Sequence, residues 1–307
     1  MNIVITGGAG FIGSHLADRL IESSYLNKVF ILDNLITGRM DNVNPEAIFY
    51  NIDISDTEKV EEFFRGKKID IVIHAAATGA DPNNWKMDTM SNVLGTVNIV
   101  KQSLLCRIER LIYFQTSLCY GTPQTNPITL DHPINPTNSY SITKTAAERY
   151  IAMSGLNFIS FRLANCYGPR NLAGAVPTFY HRLSQGQSCF VYNTRRDFVY
   201  IEDLVNIVMR AVCGYGEKGY YHISTGKDYP ILDIYNIVAN QLGIDTKPEI
   251  KPMMKEDVES ILLDPSVTKK VFEVIPRTLL DYGIRKAINW YKEHGITETY
   301  THLPKEK

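Results

Sequence analysis

Apolar positions open the chain as a short unbroken run over residues 2–6 and then, past a glycine-rich stretch, recur at helical spacing from Phe11 to Ile21. The first pattern predicts a buried strand and the second one face of a helix. The same pair of patterns returns several times. VFILD ends at Asp33, the polar NLITGRMDNVNPE is a loop, and AIFYNIDISD is a further strand ending at Asp53. Thr57 to Arg65 is helical, and IDIVIHAAAT reads as a buried parallel strand that closes in small residues. A polar loop from Gly79 to Lys86 carries Trp85, and DTMSNVLGTVNIVKQSLL is a helix whose polar exception is Asn92. RLIYFQTSLCYG is a strand that breaks into polar residues at Gln115, Thr116 and Ser117, followed by the proline-rich loop PQTNPITLDHPINPTN. The helix SYSITKTAAERYIAMSG and the strand NFISFRLANCYGP close the alternation near residue 169. Strands alternating with helices in this way predict an α/β fold built on a doubly wound parallel sheet.

Past Pro169 the alternation loosens. NLAGAVPTFYHRLSQGQ reads as a loop and a helix, CFVYNTRRDFVYIEDL as strands about a basic turn, and VNIVMRAVCGY as a helix. YYHIST is a short strand ahead of a helix from Ile231 to Leu242. KPEIKPMMKEDVE, PSVTKKVFEV and the amphipathic LLDYGIRKAINWYKEHG follow, and the tail THLPKEK is expected to fray. The chain thus divides into a first domain over residues 1–169, to which segments near 191–227 return, and a smaller α/β domain over 170–307.

Between the first strand and first helix, Gly7, Gly10 and Gly13 stand at GxxGxxG spacing, and Asp33 ends the next strand about twenty residues on. Glycines there admit a backbone approach that a Cβ would block, and the turn aims the free N–H groups of the helix at a diphosphate. The Asp33 carboxylate suits a ribose diol and favours NAD over NADP, whose 2′-phosphate would meet a like charge. Arg39, close by in sequence, softens that preference. Residues 1–169 therefore read as a Rossmann domain for NAD, with residues 170–307 mainly for the substrate. Phe11, Ile12, Asn34, Gly38, Ile54, Ala75, Ala76, Ala77 and Asn92 join the expected cofactor site, the alanines because small side chains at a central strand end let a cofactor lie against the backbone. Asn92 is also suited to holding a strand-end backbone. Asp53 either bonds the adenine amino group or caps the helix starting near Ser55. His74 reads as a packed residue, not a catalyst.

Composition narrows the partners. With 307 residues and 44% hydrophobic content the chain can bury a full core, and 32 basic against 33 acidic residues leave a net charge of −1. That balance points away from nucleic acid and membrane surfaces. No basic leader and no apolar run near the ~20 residues of a membrane span are evident, so the expected location is cytoplasmic. Cys106, Cys119, Cys166, Cys189 and Cys213 form no CxxC pair, and the seven histidines have no ligand spacing. Reduced thiols and no metal site are expected.

Tyr140 and Lys144 stand four apart, hence on one helical face. A phenol is a poor base at neutral pH, and a neighbouring lysine cation, with an oxidised nicotinamide beyond it, favours the phenolate. Lys144 can also reach the nicotinamide ribose. Thr116, at a strand end, offers a hydroxyl for the reacting oxygen.

Taken in order, TGGAGFIGSHL, DNLITG, HAAA, NVLGT, YSITK, RLANCYGPR, RRDFVYIEDL and the closing DPSVTKKVF and INWYKE resemble the extended short-chain dehydrogenase/reductase superfamily, in its nucleotide-sugar epimerase/dehydratase branch. The resemblance implies a tightly held NAD that removes hydride from a sugar carbon and usually returns it. It implies Thr116, Tyr140 and Lys144 as the catalytic residues, and Thr116, Ser117, Asn165, Val176 and Arg196 at the nucleotide-sugar. Arg196 is either a surface charge paired with Asp197 or a ligand of the diphosphate, which suits its guanidinium fork. Val176, Pro177, Phe179 and Phe190 either line the base pocket or belong to the core. The resemblance also implies a homodimer packed through helices near 90–105 and 141–153. YFQTSLCYG and DPNNWKMDT look like the WbmG-type epimerases of bacterial O-antigen clusters and UDP-sugar 4-epimerases.

Departures from the branch narrow the reaction. Ser117 and Leu118 stand where dehydratases carry an Asp-Glu pair and decarboxylases keep a glutamate. What remains is NAD-dependent inversion of a hydroxyl, at C4, of a UDP-linked hexose, hexosamine or hexuronic acid through a 4-keto sugar, for surface polysaccharide synthesis. A ketoreductase using NAD(P)H is the nearest alternative. A noncatalytic NAD-binding scaffold is a distant one, since it would be expected to have lost Tyr140 or Lys144. Where the branch often has an RPGD-like arginine, this chain reads Met254, Lys255, Glu256 and Asp257, and Lys255 substitutes only as a point charge. Arg195 or Arg170 is then expected to help an acidic sugar bind.

Overall fold

The computed structural model of the protein describes residues 1–24, 26–79, 81–253 and 258–300. In chain order the nucleotide half contains β1 (Asn2–Thr6), α1 (Phe11–Ser23), β2 (Lys28–Asp33), β3 (Ile48–Asn51), α2 (Thr57–Phe64), β4 (Ile71–His74), α3 (Trp85–Asp88), α4 (Thr96–Cys106), β5 (Arg110–Thr116), α5 (Ser139–Met153) and β6 (Phe158–Leu163). Next come β7 (Asn165–Tyr167), α6 (Ala175–Ser184), β8 (Phe190–Tyr192), β9 (Arg195–Tyr200), α7 (Ile201–Val212), β10 (Gly219–Ile223), β11 (Asp228–Pro230), α8 (Ile231–Leu242), β12 (Glu249–Lys251), β13 (Ser260–Ile261), α9 (Ser266–Phe272) and α10 (Leu280–His294).

Seven strands form one parallel sheet in the order β10-β6-β5-β4-β1-β2-β3. The chain leaves β1 outward through β2 and β3, then returns to the other side of β1 with β4. Strand order therefore reverses between β1 and β4, and in a sheet of this kind ligands lie at the carboxyl ends of the two strands flanking that reversal. Both faces of β1 are buried, as its unbroken apolar run requires. Ile3 and Ile5 join a core with Leu16 and Leu20 of α1, whereas Val4 joins one with Val60, Ile99 and Ile151 of α2, α4 and α5. Side chains alternate across a strand, so an apolar residue at every position means helices on both faces.

Local chemistry fixes the helix ends near the site. Asn138 caps α5 by accepting the Ser141 N–H, while the Ser141 hydroxyl takes the Asn138 N–H in return. Asp56 caps α2 by accepting the Lys59 N–H at 3.1 Å. Of the two readings of Asp53, the one as the cap of a helix starting near Ser55 is therefore not met, and α2 begins at Thr57. Two further boundaries differ from the sequence pattern. The long helix expected from Asp88 is interrupted, for Thr89–Gly95 winds as a π-helix between α3 and α4. The strand expected to run to residue 169 splits, because β7 leaves β6 and pairs with β9 in the second sheet, β11-β9-β13. Periodicity alone cannot see either event, since each depends on what the segment packs against.

The second half is not a separate end of the chain. β10 joins the large sheet beside β6, and α7 packs on α1. A buried ion pair laces the halves together. Arg162 on β6 meets Glu148 on α5 at 2.9 Å and also donates to the Tyr120 hydroxyl, which donates to His222 Nε2 on β10. His222 Nδ1–H then donates to the Asp264 carbonyl. Removing one partner of such a pair strands a buried charge, at a cost of about 3–5 kcal/mol. The region of Lys255 and the tail from Thr301 lie outside the described residues.

Three histidines are held as neutral bases. Burial pulls His15 and His222 down to about 4 and His74 down to about 3. Unfolded, each protonates near its usual value of 6.5. Between pH 6.5 and about 4 the unfolded chain binds more protons than the folded one, so these groups make stability fall as pH falls through that window. Urea unfolding from pH 7 to 4.5 is expected to show about 1.4 kcal/mol per pH unit for each histidine. His222→Gln, which keeps one donor and one acceptor, is expected to flatten that slope by one such increment; an unchanged slope contradicts a neutral buried His222.

Candidate active site

At the reversal point the backbone of β1 and the loop after β4 come very close. Gly7 has φ +68°, and a Cβ there would lie 2.6 Å from the Ala76 nitrogen; one on Gly13 would lie 2.3 Å from the Gly7 carbonyl oxygen. Only glycine fits both positions, as the spacing of the motif requires. Gly10 precedes α1 without a side-chain cap, so the first-turn N–H groups of Phe11, Ile12 and Gly13 are left for an anion. The first turn of α1 also carries no acidic residue.

Asp33 ends β2 beside this turn. Its carboxylate accepts the Ala9 N–H at 3.0 Å and the Leu35 N–H at 2.8 Å, and Gly38 lies against it. Burial pushes the Asp33 carboxyl above the usual carboxylate pKa, and the two N–H groups oppose that. Asn34 donates to Asp53 at 3.0 Å. Asp53 also accepts the N–H and hydroxyl of Ser55, and these bonds outweigh burial to hold its carboxyl below the usual value. Ile54 is buried, packed against Gly95. Ala75, Ala76 and Ala77 are partly buried at the end of β4.

A chain of hydrogen bonds runs under this floor. The Ala76 N–H donates to Thr6 Oγ1, which lies 2.7 Å from His74 Nδ1. His74 Nε2 lies 2.8 Å from Thr96 Oγ1, which donates to the Asn92 carbonyl at 2.6 Å. Because the Thr96 hydroxyl spends its hydrogen on that carbonyl, Nε2 carries the ring proton and Nδ1 accepts from Thr6. His74 is thus a satisfied packed residue, as read from sequence. Asn92 accepts the Thr78 N–H and donates to the Thr78 carbonyl and the Thr143 hydroxyl. Its amide thus holds the loop after β4 and α5, the strand-end role read from sequence.

Thr116 closes β5, and Tyr140 and Lys144 occupy the first two turns of α5. The Thr116 hydroxyl oxygen accepts the Leu118 N–H at 3.1 Å, opening a 3₁₀ turn over Ser117–Tyr120 and leaving the hydroxyl hydrogen to bind a substrate oxygen. Ser117 is buried inside that turn. The Tyr140 ring packs against Gly79, with a small cavity beside it between Pro82, Asp88 and Asn138. Burial, and then the charge of Asp88, push the Tyr140 phenol up to about 12. Burial pulls Lys144 down to about 7. Burial and Asp88 thus both act to keep Tyr140 a phenol. A positive charge brought beside the pair is what remains to favour the phenolate. Asp88 gave no sequence signal; on α3 it accepts the Ser139 hydroxyl at 2.6 Å and is almost fully buried.

The expected substrate residues are spread more widely. Asn165 on β7 donates to the Asp197 carbonyl at 3.3 Å. Arg196 donates to the carbonyls of Arg195 and Val258. The alternative reading of a pair with Asp197 is not met, because Asp197 is buried and bonded to Ser224 and Thr225. The Val176 side chain is packed in the core with Phe179, one of the two readings given for it; Pro177 is also buried, while Phe190 is partly exposed. Arg195 forms a two-pronged bond to Asp228 at 3.0 Å on each prong, and Arg170 pairs with Asp18 at 2.7 Å. Both arginines already serve carboxylates, which weakens the expectation that either one recruits an acidic sugar.

Known proteins resemble this chain over most of its length. Residues 3–223 match the family described as NAD dependent epimerase/dehydratase. A UDP-glucose 4-epimerase of Lactobacillus helveticus is 28% identical over 96% of this chain and 98% of its own length. The structure of the Bordetella bronchiseptica enzyme WbmH in complex with NAD+ superposes with a TM-score of 0.91 at 41% identity, covering 96% of this chain and 99% of that one. That of WbmG from the same organism, in complex with NAD and UDP, gives 0.88 at 34% identity, covering 98% and 97%.

Asp33 makes the dinucleotide preference measurable. Calorimetric titration is expected to show NAD binding ~100-fold tighter than NADP, as a like charge beside the 2′-phosphate costs several kcal/mol. Asp33→Ser is expected to narrow the ratio to within ~10-fold. Equal affinities in the unaltered protein would place the ribose elsewhere.

Proposed function

The chain belongs to the NAD dependent epimerase/dehydratase family, and from that premise we propose that it inverts the C4 hydroxyl of a UDP-linked hexose, hexosamine or hexuronic acid with no net oxidation. The observation that supports the reading is that Thr116 closes β5 while Tyr140 and Lys144 occupy the first two turns of α5, the helix bonded to β5, with Ser117 and Leu118 following Thr116. Neither of those two can act as an acid or base in a water elimination.

The glycine cradle, the uncapped start of α1 and the Asp33 carboxylate fit a dinucleotide. When bound, the nicotinamide supplies the site that takes a hydride from the sugar carbon and returns it. Tyr140 takes the hydroxyl proton as hydride departs and gives it back after the 4-keto sugar has turned over. Thr116 donates to the same oxygen and holds it at Tyr140. Lys144 lies on the same helical face as Tyr140 and is suited to the nicotinamide ribose. Arg196 and Asn165 are proposed for the nucleotide diphosphate and the sugar. The complexes of WbmH with NAD+ and of WbmG with NAD and UDP support the cofactor and the uridine diphosphate. Surface polysaccharide synthesis in the cytoplasm is proposed from the WbmG-like segments YFQTSLCYG and DPNNWKMDT. Among the described residues no helix is long and apolar enough to cross a membrane.

A homodimer is part of the proposal. α4 exposes Leu104 and Leu105, and α5 exposes Ile142, Tyr150 and Met153. Buried together, side chains of this size each contribute about 1.5–3 kcal/mol.

Incubation with UDP-hexoses, UDP-N-acetylhexosamines and UDP-hexuronic acids without added nicotinamide is expected to invert C4 of one class by proton NMR. Turnover only with a keto sugar and reduced cofactor would make the protein a ketoreductase instead. Tyr140→Phe is expected to lower kcat ~10²–10⁴-fold. Sedimentation is expected to show a dimer that Met153→Glu converts to monomer; a monomeric unaltered protein would remove the dimer from the proposal.

A further inference from the structure

Lys144 is gripped by its backbone as well as by its surroundings. Its carbonyl accepts hydrogen bonds from the Tyr113 hydroxyl at 3.1 Å and from Gln115 Nε2 at 3.0 Å. Both donors belong to β5, the strand that ends in Thr116. The other end of the same Gln115 amide, Oε1, accepts the Thr116 N–H at 2.8 Å. The Lys144 amine lies 4.0 Å from the centre of the Tyr113 ring. Gln115 and Tyr113 are both buried.

An amide buried in an otherwise apolar strand is costly unless its donor and acceptor are both used. Here each is used on a backbone that carries a reacting side chain. Apolar packing of α5 on the sheet is non-directional and tolerates small slides, whereas hydrogen bonds lose strength steeply with angle. A slip of α5 by one residue would shift it about 1.5 Å and turn it about 100°. Both bonds to the Lys144 carbonyl would break.

We propose that Gln115, assisted by Tyr113, is a positioning residue: its amide locks Thr116 to Lys144 and so sets the spacing of the Thr116 hydroxyl, the Tyr140 phenol and the Lys144 amine. The kinetic consequence rests on the epimerase reading; the lock itself does not.

Gln115→Met keeps the length of the side chain and removes both bonds. In the holoenzyme it is expected to lower kcat ~10–100-fold, the penalty of a misplacement near 1 Å, with KM for the UDP-sugar within about twofold. Tyr113→Phe is expected to cost less, and the double variant less than the product of the two, because both side chains act on one carbonyl. Hydrogen exchange of the amides from Tyr140 to Glu148 is expected to quicken in Gln115→Met. Should Gln115→Met not fold, Gln115→Glu, which accepts from Thr116 but does not donate as a carboxylate, is expected to give the same kinetic split. A folded variant with unaltered kcat, a loss confined to KM, or unchanged exchange on α5 overturns the proposal. If the unaltered protein inverts no sugar, the functional reading falls, and the exchange comparison decides the lock by itself.

Discussion

How closely three stretches of backbone approach one another at the carboxyl ends of β1 and β4 governs the nucleotide half of this protein. The Gly7 Cα sits where any side chain would strike Ala76, and Gly13 brings α1 down onto the Gly7 carbonyl. That contact draws the uncapped start of α1 to the reversal point of the sheet. It also presents the turn to Asp33, which accepts a backbone N–H from Ala9 in the turn itself. One steric requirement thus places the anion site, the ribose acceptor and the cofactor floor together.

Buried polar contacts then fix what apolar packing leaves loose. The run from Thr6 through His74 and Thr96 to Asn92 joins the floor to the π-helical turn, and Asn92 carries the connection to α5 through Thr143. Gln115 joins α5 to β5, and Glu148 and Arg162 join α5 to β6 and, through Tyr120 and His222, to β10. The helix bearing Tyr140 and Lys144 is therefore tied from several sides by directional bonds. The same burial that makes those bonds strong holds the Tyr140 phenol high and Lys144 low, so the pair is poised to respond to a positive charge beside it.

Much of this could be read along the chain. Unbroken apolar runs gave the strands because a sheet covered on both faces buries every side chain of its central members. The GxxGxxG spacing and the Asp33 position gave the dinucleotide turn because its requirements are local: a positive φ, a missing Cβ and a helix start within a few residues. Tyr140 and Lys144 share a face by helical geometry alone. The partners of polar side chains were less accessible. Arg195 was matched to a sugar and found Asp228; Arg196, read as either a partner of Asp197 or a diphosphate ligand, bonds backbone carbonyls; Asn92 took the strand-end role that had been weighed beside the cofactor, holding Thr78 and Thr143.

By itself the sequence determined the alternating elements, the glycine turn with its missing side chains and the residues with reactive side chains, all of which depend on neighbours within about one turn or strand. Tertiary structure decided the departure of β7 from β6, the π-helical turn, the choice of core packing for Val176, and the burial that holds the Tyr140 phenol high. Each of these depends on contacts between segments far apart in the chain, and on how much water they exclude. Local periodicity carries no information about either.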